Sequence, residues 1–459
     1  MNPSVRFDGD LIRRYDSAAP RYTSYPTALE FHNGVNADRY KEHIALSNQR
    51  GGPLSLYFHL PFCDTVCFYC ACNKIVTKNR GHAQPYLENL QQEVSMQAAL
   101  FDSERRVEQL HWGGGTPTFL SHQQMRSLMQ HTRDNFNLAD DEHGEFSIEV
   151  DPREANADTV ALLREIGFNR ISLGLQDFNP QVQVAVNRIQ TEEETFAVLD
   201  AARHEGFRSV SLDLIYGLPH QTVTSFDDTL DKVIAASPDR LSVFNYAHLP
   251  ERFKVQRQIN ADSLPGAQTK LDILQHSIDK LTQAGYVYIG MDHFAKPDDE
   301  LTLAQQQQRL YRNFQGYSTH ADCDLIGFGI TSIGKVGDAY VQNVRTLGEY
   351  DAAISANQLP VLHGIELNAD DILRRDIISR LMCDFSLDIA AIEQHYSIDF
   401  ADYFRTVFPQ LEQFARDGLL TYNWDYIEVL PAGRLLIRHI CMAFDHYSEQ
   451  SRQRFSKVI

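Results

Sequence analysis

From Leu54 onward the chain alternates two hydrophobic patterns. Segments 54–60, 107–112, 145–151, 169–176, 208–216 and 240–247 place apolar residues in short runs or at every second position, which predicts strands. Segments 84–101, 121–136, 155–166, 191–206, 222–236 and 268–284 follow them with apolar residues at helical spacing. Six strand–helix units in that order predict a parallel sheet with right-handed crossovers, curled into a partial (β/α)6 barrel or left open. Such sheets bind ligands at the carboxyl ends of their strands. In FSIEVD, period two sends Phe146, Ile148 and Val150 one way and Ser147, Glu149 and Asp151 the other. Tyr57 on the first strand, Gln176 at the end of the fourth and Asp213 near the end of the fifth also fall where such a sheet keeps its site.

The flanking stretches read differently. Residues 1–50 are expected to form an irregular leader packed on the active site, interrupted by Pro20 and Pro26 and carrying Arg13, Arg14, Tyr15, Arg21, Tyr22 and Tyr25. Arg forks beside aromatic rings suit a flat molecule bearing carboxylates, so Arg21 and Tyr22 are substrate-binding candidates. Beyond residue 284, YVYIGMDHFA and NFQGYSTHADCDLIGFGITSIG predict extra strands that extend or close the sheet, and they contain Phe314, Gln315 and Ile333. From residue 366 the pattern turns helical, then gives two short strands and a final amphipathic helix, an order like that of a winged-helix domain. The expected division is therefore a leader over 1–50, an α/β catalytic domain over 51–365 and a small, mainly helical winged-helix-like domain over 366–459.

Charge narrows the function. A chain of 459 residues needs more than one hydrophobic core, and 43% hydrophobic residues can build two. A formal charge of −19 argues against nucleic-acid binding and leaves the C-terminal domain as a lid or packing element. The sequence has no apolar run long enough to span a bilayer and starts without a signal segment, so the expectation is a cytoplasmic protein with reduced thiols. Without heptads or another assembly pattern, a monomer is expected.

The chemistry concentrates in LSLYFHLPFCDTVCFYCACN, residues 54–73, which holds four of the seven cysteines. Cys63, Cys67 and Cys70 have the spacing C-x3-C-x2-C, with Cys72 one residue further on. Three thiolates leave an iron–sulfur cube one open iron, whereas structural zinc takes four ligands. The tight bite of Cys70 and Cys72 disfavours the zinc arrangement. HWGGGTPT, 111–118, ends the second strand in three glycines, so backbone can approach a ligand there, yet it lacks P-loop or dinucleotide spacing. His59, His111 and His293 read as hydrogen-bonded core residues, and Cys323, Cys383 and Cys441 as buried small residues.

The cysteine spacing, Tyr69 before the third cysteine and GGGTP at 113–117 resemble the radical S-adenosylmethionine (SAM) enzymes. PRYTSYPTA at 20–28, Cys72 with NKIVT, SIEVDPRE, NRISLGLQDFN, DLIYGLP, NYAHLP, GMDHFA and NFQGY are together similar to one family among them, over essentially the full length. That family is the oxygen-independent coproporphyrinogen III oxidases of heme synthesis.

The resemblance implies a [4Fe-4S] cluster on Cys63, Cys67 and Cys70 whose fourth iron takes the amine and carboxylate of SAM. A low-potential donor such as flavodoxin or ferredoxin would drive SAM cleavage to methionine and a 5′-deoxyadenosyl radical. That radical would take hydrogen from a propionate β-carbon of coproporphyrinogen III, and loss of carbon dioxide and an electron would leave a vinyl group. Two such rounds would give protoporphyrinogen IX.

Carried over by position, Tyr57, Gly114, Glu149, Gln176, Arg188 and Asp213 would hold the cluster-bound SAM. Tyr69, Gly115, Thr116, Ala247 and Ile333 would surround a second SAM, with Cys72 near it and not a cluster ligand. Glu149, Cys72, Phe314 and Gln315 are the catalytic candidates, the last two on the substrate side. Ala71 stands where the family often has Gly, and a positive φ there would cost about 1 kcal/mol. A heme-delivering chaperone, a heme-degrading methyltransferase and a zinc-dependent winged-helix regulator are the alternative readings; the leader, Cys72 and NFQGY favour the oxidase.

Overall fold

A computed structural model describes residues 5–15, 17–321 and 323–448. The chain forms two compact units, one of Phe31–Gly266 with Asp322–Glu366, the other of Met1–Glu30, Ala267–Ala321 and Leu367–Ile459. One boundary between the units falls after Glu366, and residues 1–50 and 51–365 are each divided between them.

The first unit contains the six expected parallel strands: β1 (Leu54–Leu60), β2 (Arg106–Gly114), β3 (Glu145–Val150), β4 (Arg170–Gln176), β5 (Ser209–Tyr216) and β6 (Arg240–Asn245). They lie side by side in chain order, each parallel to the next. Beyond β1 the sheet continues through β7 (Asp324–Phe328), which is parallel to β1, and then antiparallel through β8 (Ile333–Val336), β9 (Ala339–Asn343) and β10 (Val361–Glu366). The strand ladder is a path that does not close on itself, so this is a partial barrel with added strands.

Local chemistry explains the intervening helices. Ser121 with Gln124, Thr191 with Glu194 and Thr222 with Ser225 form capping boxes on the helices His122–Asn135, Glu192–His204 and Val223–Ala236. Each helix turns a stripe of apolar residues inward, for example Phe226, Leu230 and Val233. The strands meet these helices with one set of alternate residues. Phe58 stacks on Phe328 at 4.8 Å, and Trp112 packs edge-on against Phe168 at 4.9 Å. The opposite alternate set is polar and lines the site.

Residues 1–50 are more regular than expected. Gly9–Arg14 is helical, and Ala37–Arg50 is a 14-residue helix capped by Asn36. Tyr40, Ile44 and Ser47 are its buried positions, a stripe too narrow to stand out in a mostly polar segment. The helix Pro180–Ala185 was likewise unforeseen.

In the second unit, Tyr311–Asn313 and Gly316–Ser318 pair with one another as a separate hairpin and do not extend the sheet. The C-terminal stretch has the long helix Ala369–Asp384 and the helices Ile389–Tyr396 and Phe408–Arg416. Its three short strands, Ser386–Asp388, Leu420–Tyr422 and Tyr426–Val429, put the last in the centre, one strand more than the expected hairpin. Arg438 donates from Nε to the Pro20 carbonyl at 2.9 Å and also to that of Ala19, tying the leader to this unit's last helix.

Candidate functional site

The polar face of the parallel sheet forms one wall of a cavity of about 280 Å³ in the first unit. Strand register assembles it. Tyr57 pairs with His111, His111 with Ser147, Glu149 with Ser172, Gly174 with Asp213, and Asp213 with Ser242. Tyr57 stacks on His111 at 5.8 Å, and its hydroxyl is 3.1 Å from His59 Nδ1. His111 Nδ1 lies 2.5 Å from Ser147 Oγ and its Nε2 3.3 Å from Glu149 Oε1, while His59 Nε2 meets the Asn73 carbonyl at 3.0 Å. Both histidines are thus hydrogen-bonded, as expected, and neither is a lining residue of the cavity.

The cysteine-bearing loop is suspended over this wall by hydrogen bonds to distant segments. Phe68 N–H donates to Val186 O at 2.9 Å, Asn187 Nδ2 to Val66 O at 2.8 Å and Gln256 Nε2 to Tyr69 O at 3.0 Å. Phe68 and Tyr69 also pack against a core of Val182, Val186, Leu218, Tyr246 and Ile259. Rigid anchoring on both sides of Cys67 keeps three thiols turned to one space without disulfides. Ala71 has no positive φ, so the departure from Gly carries no backbone strain.

Cations surround the thiols. Arg188 Nη1 lies 3.5 Å from Cys67 Sγ and Arg153 Nη2 lies 3.7 Å from it. Thr116 Oγ1 donates to Cys63 Sγ at 3.6 Å, and Lys74 Nζ donates to the Cys70 carbonyl at 3.0 Å. The Cys70 thiol is pulled below its ordinary value, first by a hydrogen bond from Cys72 and also by Lys74. Burial pushes the Cys63 thiol up to about 11, with Thr116 opposing. Asp151 joins Arg188 at 2.9 Å and Arg153 at 2.6 Å; burial opposes its charge, but the two guanidinium groups hold it below the usual carboxylate range.

Two carboxylates face the same cavity with opposite tuning. Burial alone would raise Glu149, yet His111 and the Gly114 N–H, which donates at 3.2 Å, keep it below its ordinary value. Asp213 is pushed up to about 6 by burial, with Ser242 and Ser172 opposing and Glu149's charge adding. Gly114 takes φ +112°, and a Cβ there would come within 2.6 Å of the His59 ring, so backbone fills the place between His59 and Glu149. Gln176, at the end of β4, holds φ +72° without being glycine, a strained conformation at a cavity wall.

Most sequence candidates converge here. Cys63, Cys67, Cys70, Cys72, Tyr69, Gly114, Gly115, Thr116, Glu149, Gln176, Arg188 and Asp213 all line the cavity. Tyr57 adjoins it through His111 and Glu149. Ala247 is tied to Tyr69 through Gln256, whose Nε2 also reaches the Ala247 carbonyl at 3.3 Å. Ile333 opens β8 opposite Gln342 and is not a lining residue. Phe314 and Gln315 form a hairpin turn in the other unit. Arg21 and Tyr22 also belong to that unit. Arg21 pairs with Asp292 at 2.5 Å, and the buried Tyr22 donates its hydroxyl to Asp445 at 2.9 Å. Asp151, placed on the polar face by period two, lines the cavity, whereas Lys74, Arg153, Ser172 and Gln256 were missed, although Ser172 and Gly174 share the alternate face of Gln176 and so were within reach of period two.

The donor set fits an iron–sulfur cluster and a zwitterionic ligand. Clustered thiols beside Arg188, Arg153 and Lys74 suit a thiolate-bound anionic group, and Arg188 Nε is a buried donor with no protein partner. Glu149 and Asp213 can accept from an amine or from ribose hydroxyls.

Known proteins match this arrangement over the whole chain. Residues 57–233 match the radical SAM superfamily and residues 367–436 the HemN C-terminal domain. The oxygen-independent coproporphyrinogen III oxidase of Pseudomonas aeruginosa is 53% identical and covers 100% of both chains. That of Escherichia coli K12 is 50% identical across 99% of each. The solved structure of Escherichia coli coproporphyrinogen III oxidase, described as a radical SAM enzyme, superposes with a TM-score of 0.91 at 49% identity, covering 97% of this chain and 100% of that one.

Proposed function

Because this chain belongs to the family of oxygen-independent coproporphyrinogen III oxidases, radical SAM enzymes, we propose that its cavity carries out the anaerobic oxidative decarboxylation of coproporphyrinogen III. Two propionate side chains become vinyl groups, and the product is protoporphyrinogen IX. The observation that carries this reading is the convergence of Cys63, Cys67 and Cys70 with Arg188, Glu149 and Asp213 on one cavity.

In this proposal Cys63, Cys67 and Cys70 hold a [4Fe-4S] cluster, and Cys72, exposed beside Cys70, stays off the iron. When bound, the cluster and SAM supply one-electron cleavage of the sulfonium and a hydrogen-abstracting radical. Glu149 and Asp213 accept from SAM's amine and ribose hydroxyls, and Gln176 and the Gly114 backbone fix its orientation. Arg188 and Arg153 offset thiolate charge and hold Asp151 ionised. Tyr69, Gly115, Thr116, Ala247 and Ile333 are proposed to border a second SAM; the Gln256 bridge between Tyr69 and Ala247 supports the first pair. Phe314, Gln315 and Arg21 are assigned to the substrate side.

The electron is taken to come from a flavodoxin or ferredoxin and the chain to act as a cytoplasmic monomer. Among the described residues no helix is long and apolar enough to cross a membrane. The test is an anaerobic assay of the iron- and sulfide-reconstituted protein with SAM, coproporphyrinogen III and a low-potential reductant. Loss of two carbon dioxide units with 5′-deoxyadenosine formed is the expected result. Tight heme binding without decarboxylation would replace it with heme delivery.

A further inference from the structure

The unit formed by Met1–Glu30, Ala267–Ala321 and Leu367–Ile459 contains two arginines with buried donors that meet no acceptor. Arg312, on the strand Tyr311–Asn313, is 8% exposed, and its Nε and Nη1 are buried with no hydrogen-bond partner. Its guanidinium carbon lies 4.8 Å from the ring centroid of Tyr317, its partner across the hairpin. In the turn of the same hairpin, Gln315 Nε2 is also buried without a partner. Arg434 adds a fourth such donor at Nε, its guanidinium 4.7 Å over the Phe385 ring.

These groups share one neighbourhood: a Cβ at Gly290 would lie 2.5 Å from the Tyr317 hydroxyl and 3.2 Å from the Phe385 ring, the two rings that back Arg312 and Arg434. The phenol of Tyr288 is raised by burial and by Asp292, and lowered by both Arg434 and Arg312. Arg438 is pulled below its ordinary value by burial first and then by Arg21 and Arg312. The carboxylate that acts on Tyr288, Tyr317 and Arg438 alike is Asp292, which Arg21 already engages at 2.5 Å.

Buried guanidinium donors are normally paired, and a chain with net charge −19 has carboxylates to spare for pairing them. Leaving buried donors of Arg312 and Arg434 without an acceptor, with aromatic rings behind them, is the arrangement of a site that an external anion completes. The planar fork of Arg matches a carboxylate in two parallel hydrogen bonds, and an amide N–H beside it suits the remaining lone pair.

We propose that Arg312, with Arg434 and Gln315, forms a carboxylate-binding subsite that takes a propionate of the tetracarboxylate substrate. This rests on the coproporphyrinogen reading of the function and gives Gln315 a role, that of orienting the substrate. SAM also carries a carboxylate, so the two ligands must be separated by experiment.

The test compares wild type, Arg312→Gln and Arg312→Lys as full-length reconstituted proteins under anaerobic conditions. Fluorescence titration measures affinity for coproporphyrin III, for its tetramethyl ester and for SAM. The expected result is that Arg312→Gln weakens the free acid by about tenfold or more, the size of one charge-assisted hydrogen bond, with Lys partly restoring it and the ester bound equally by all three. An unchanged affinity for the acid overturns the subsite. Equal losses for acid and ester overturn it in favour of a structural role, and a loss for SAM alone assigns the carboxylate to SAM. Should Arg312→Gln not fold, Arg434→Gln read against the same ligands decides. Failure of the wild type to decarboxylate coproporphyrinogen III overturns the proposed function separately, and the acid–ester comparison still judges the subsite.

Discussion

Arg188 Nη1 stands 3.5 Å from Cys67 Sγ while the same nitrogen holds Asp151 at 2.9 Å. Its Nη2 donates to the Gly174 carbonyl at 2.5 Å, so one buried cation joins the cysteine loop to the ends of β3 and β4. Replacing it with Met removes the charge beside the thiol and leaves Asp151 to Arg153 alone. Arg188→Met is expected to lower stability by roughly 3–5 kcal/mol, the range for breaking one side of a buried pair. Iron retained per chain should fall with it. Denaturant unfolding and iron analysis of the reconstituted protein check both; unchanged values would reduce Arg188 to a bystander.

The four clustered cysteines should separate by iron content. Cys63→Ala, Cys67→Ala and Cys70→Ala are each expected to lose the cluster's absorbance and most of the iron, because three thiolates leave no spare ligand. Cys72→Ala should keep both and lose product formation. Cys72 lines the same cavity as Cys70, which puts it close enough to compete for iron, so the outcome is informative either way. A Cys72 variant lacking iron would make it a ligand.

Much of this was legible in the sequence, and what was not has a common cause. All six parallel strands and the helices between them, the short Pro180–Ala185 apart, followed from period two and helical spacing, since each depends on neighbours within about ten residues. The 14-residue helix Ala37–Arg50 was hidden by its mostly polar surface. The two-unit division was invisible because 267–321 belongs with a stretch about a hundred residues later, and no local pattern encodes that. The same holds at the site. Cys63, Cys67 and Cys70 announce themselves by spacing, but Arg153, Lys74 and Gln256 take their roles from contacts made only once the chain is folded. The buried bond of Tyr22 to Asp445 joins residues more than four hundred apart, and no local pattern foretells it.

Gly115 should be intolerant of even one added carbon. A Cβ there would lie 2.6 Å from the Pro61 carbonyl carbon and the Phe62 carbonyl oxygen, both backbone atoms that cannot rotate away. Those atoms lead directly into Cys63. Gly115→Ala is expected to cost about 1–3 kcal/mol by overpacking and to weaken SAM binding. Gly348, in the helix Leu347–Ser355 with nothing within 4 Å of the added carbon, is the control. Gly348→Ala should raise stability by about 0.5–1 kcal/mol. Urea titrations of the two variants should move in opposite directions.

Asp213 makes the ligand-free protein pH-sensitive in a direction that can be stated. Burial pushes its carboxyl from the ordinary 3.8 up to about 6, so the folded state holds the proton more tightly than the unfolded chain. The associated stability is fully present below 3.8 and is lost as pH rises through about 6, amounting to about 3 kcal/mol by the standard linkage conversion. Asp213→Asn removes the ionising group and keeps the hydrogen bonds it can still make with Ser172 and Ser242. The variant should therefore be more stable than wild type at pH 8, and the difference should shrink toward pH 4. SAM binding should run the other way. If the ionised carboxylate accepts the ribose hydroxyls, wild-type affinity falls as pH drops through about 6, and Asp213→Asn binds weakly at every pH. Thermal unfolding of apo protein and SAM titration across pH 5–8 measure the two curves. Parallel curves for wild type and variant would mean that Asp213 does not carry this proton.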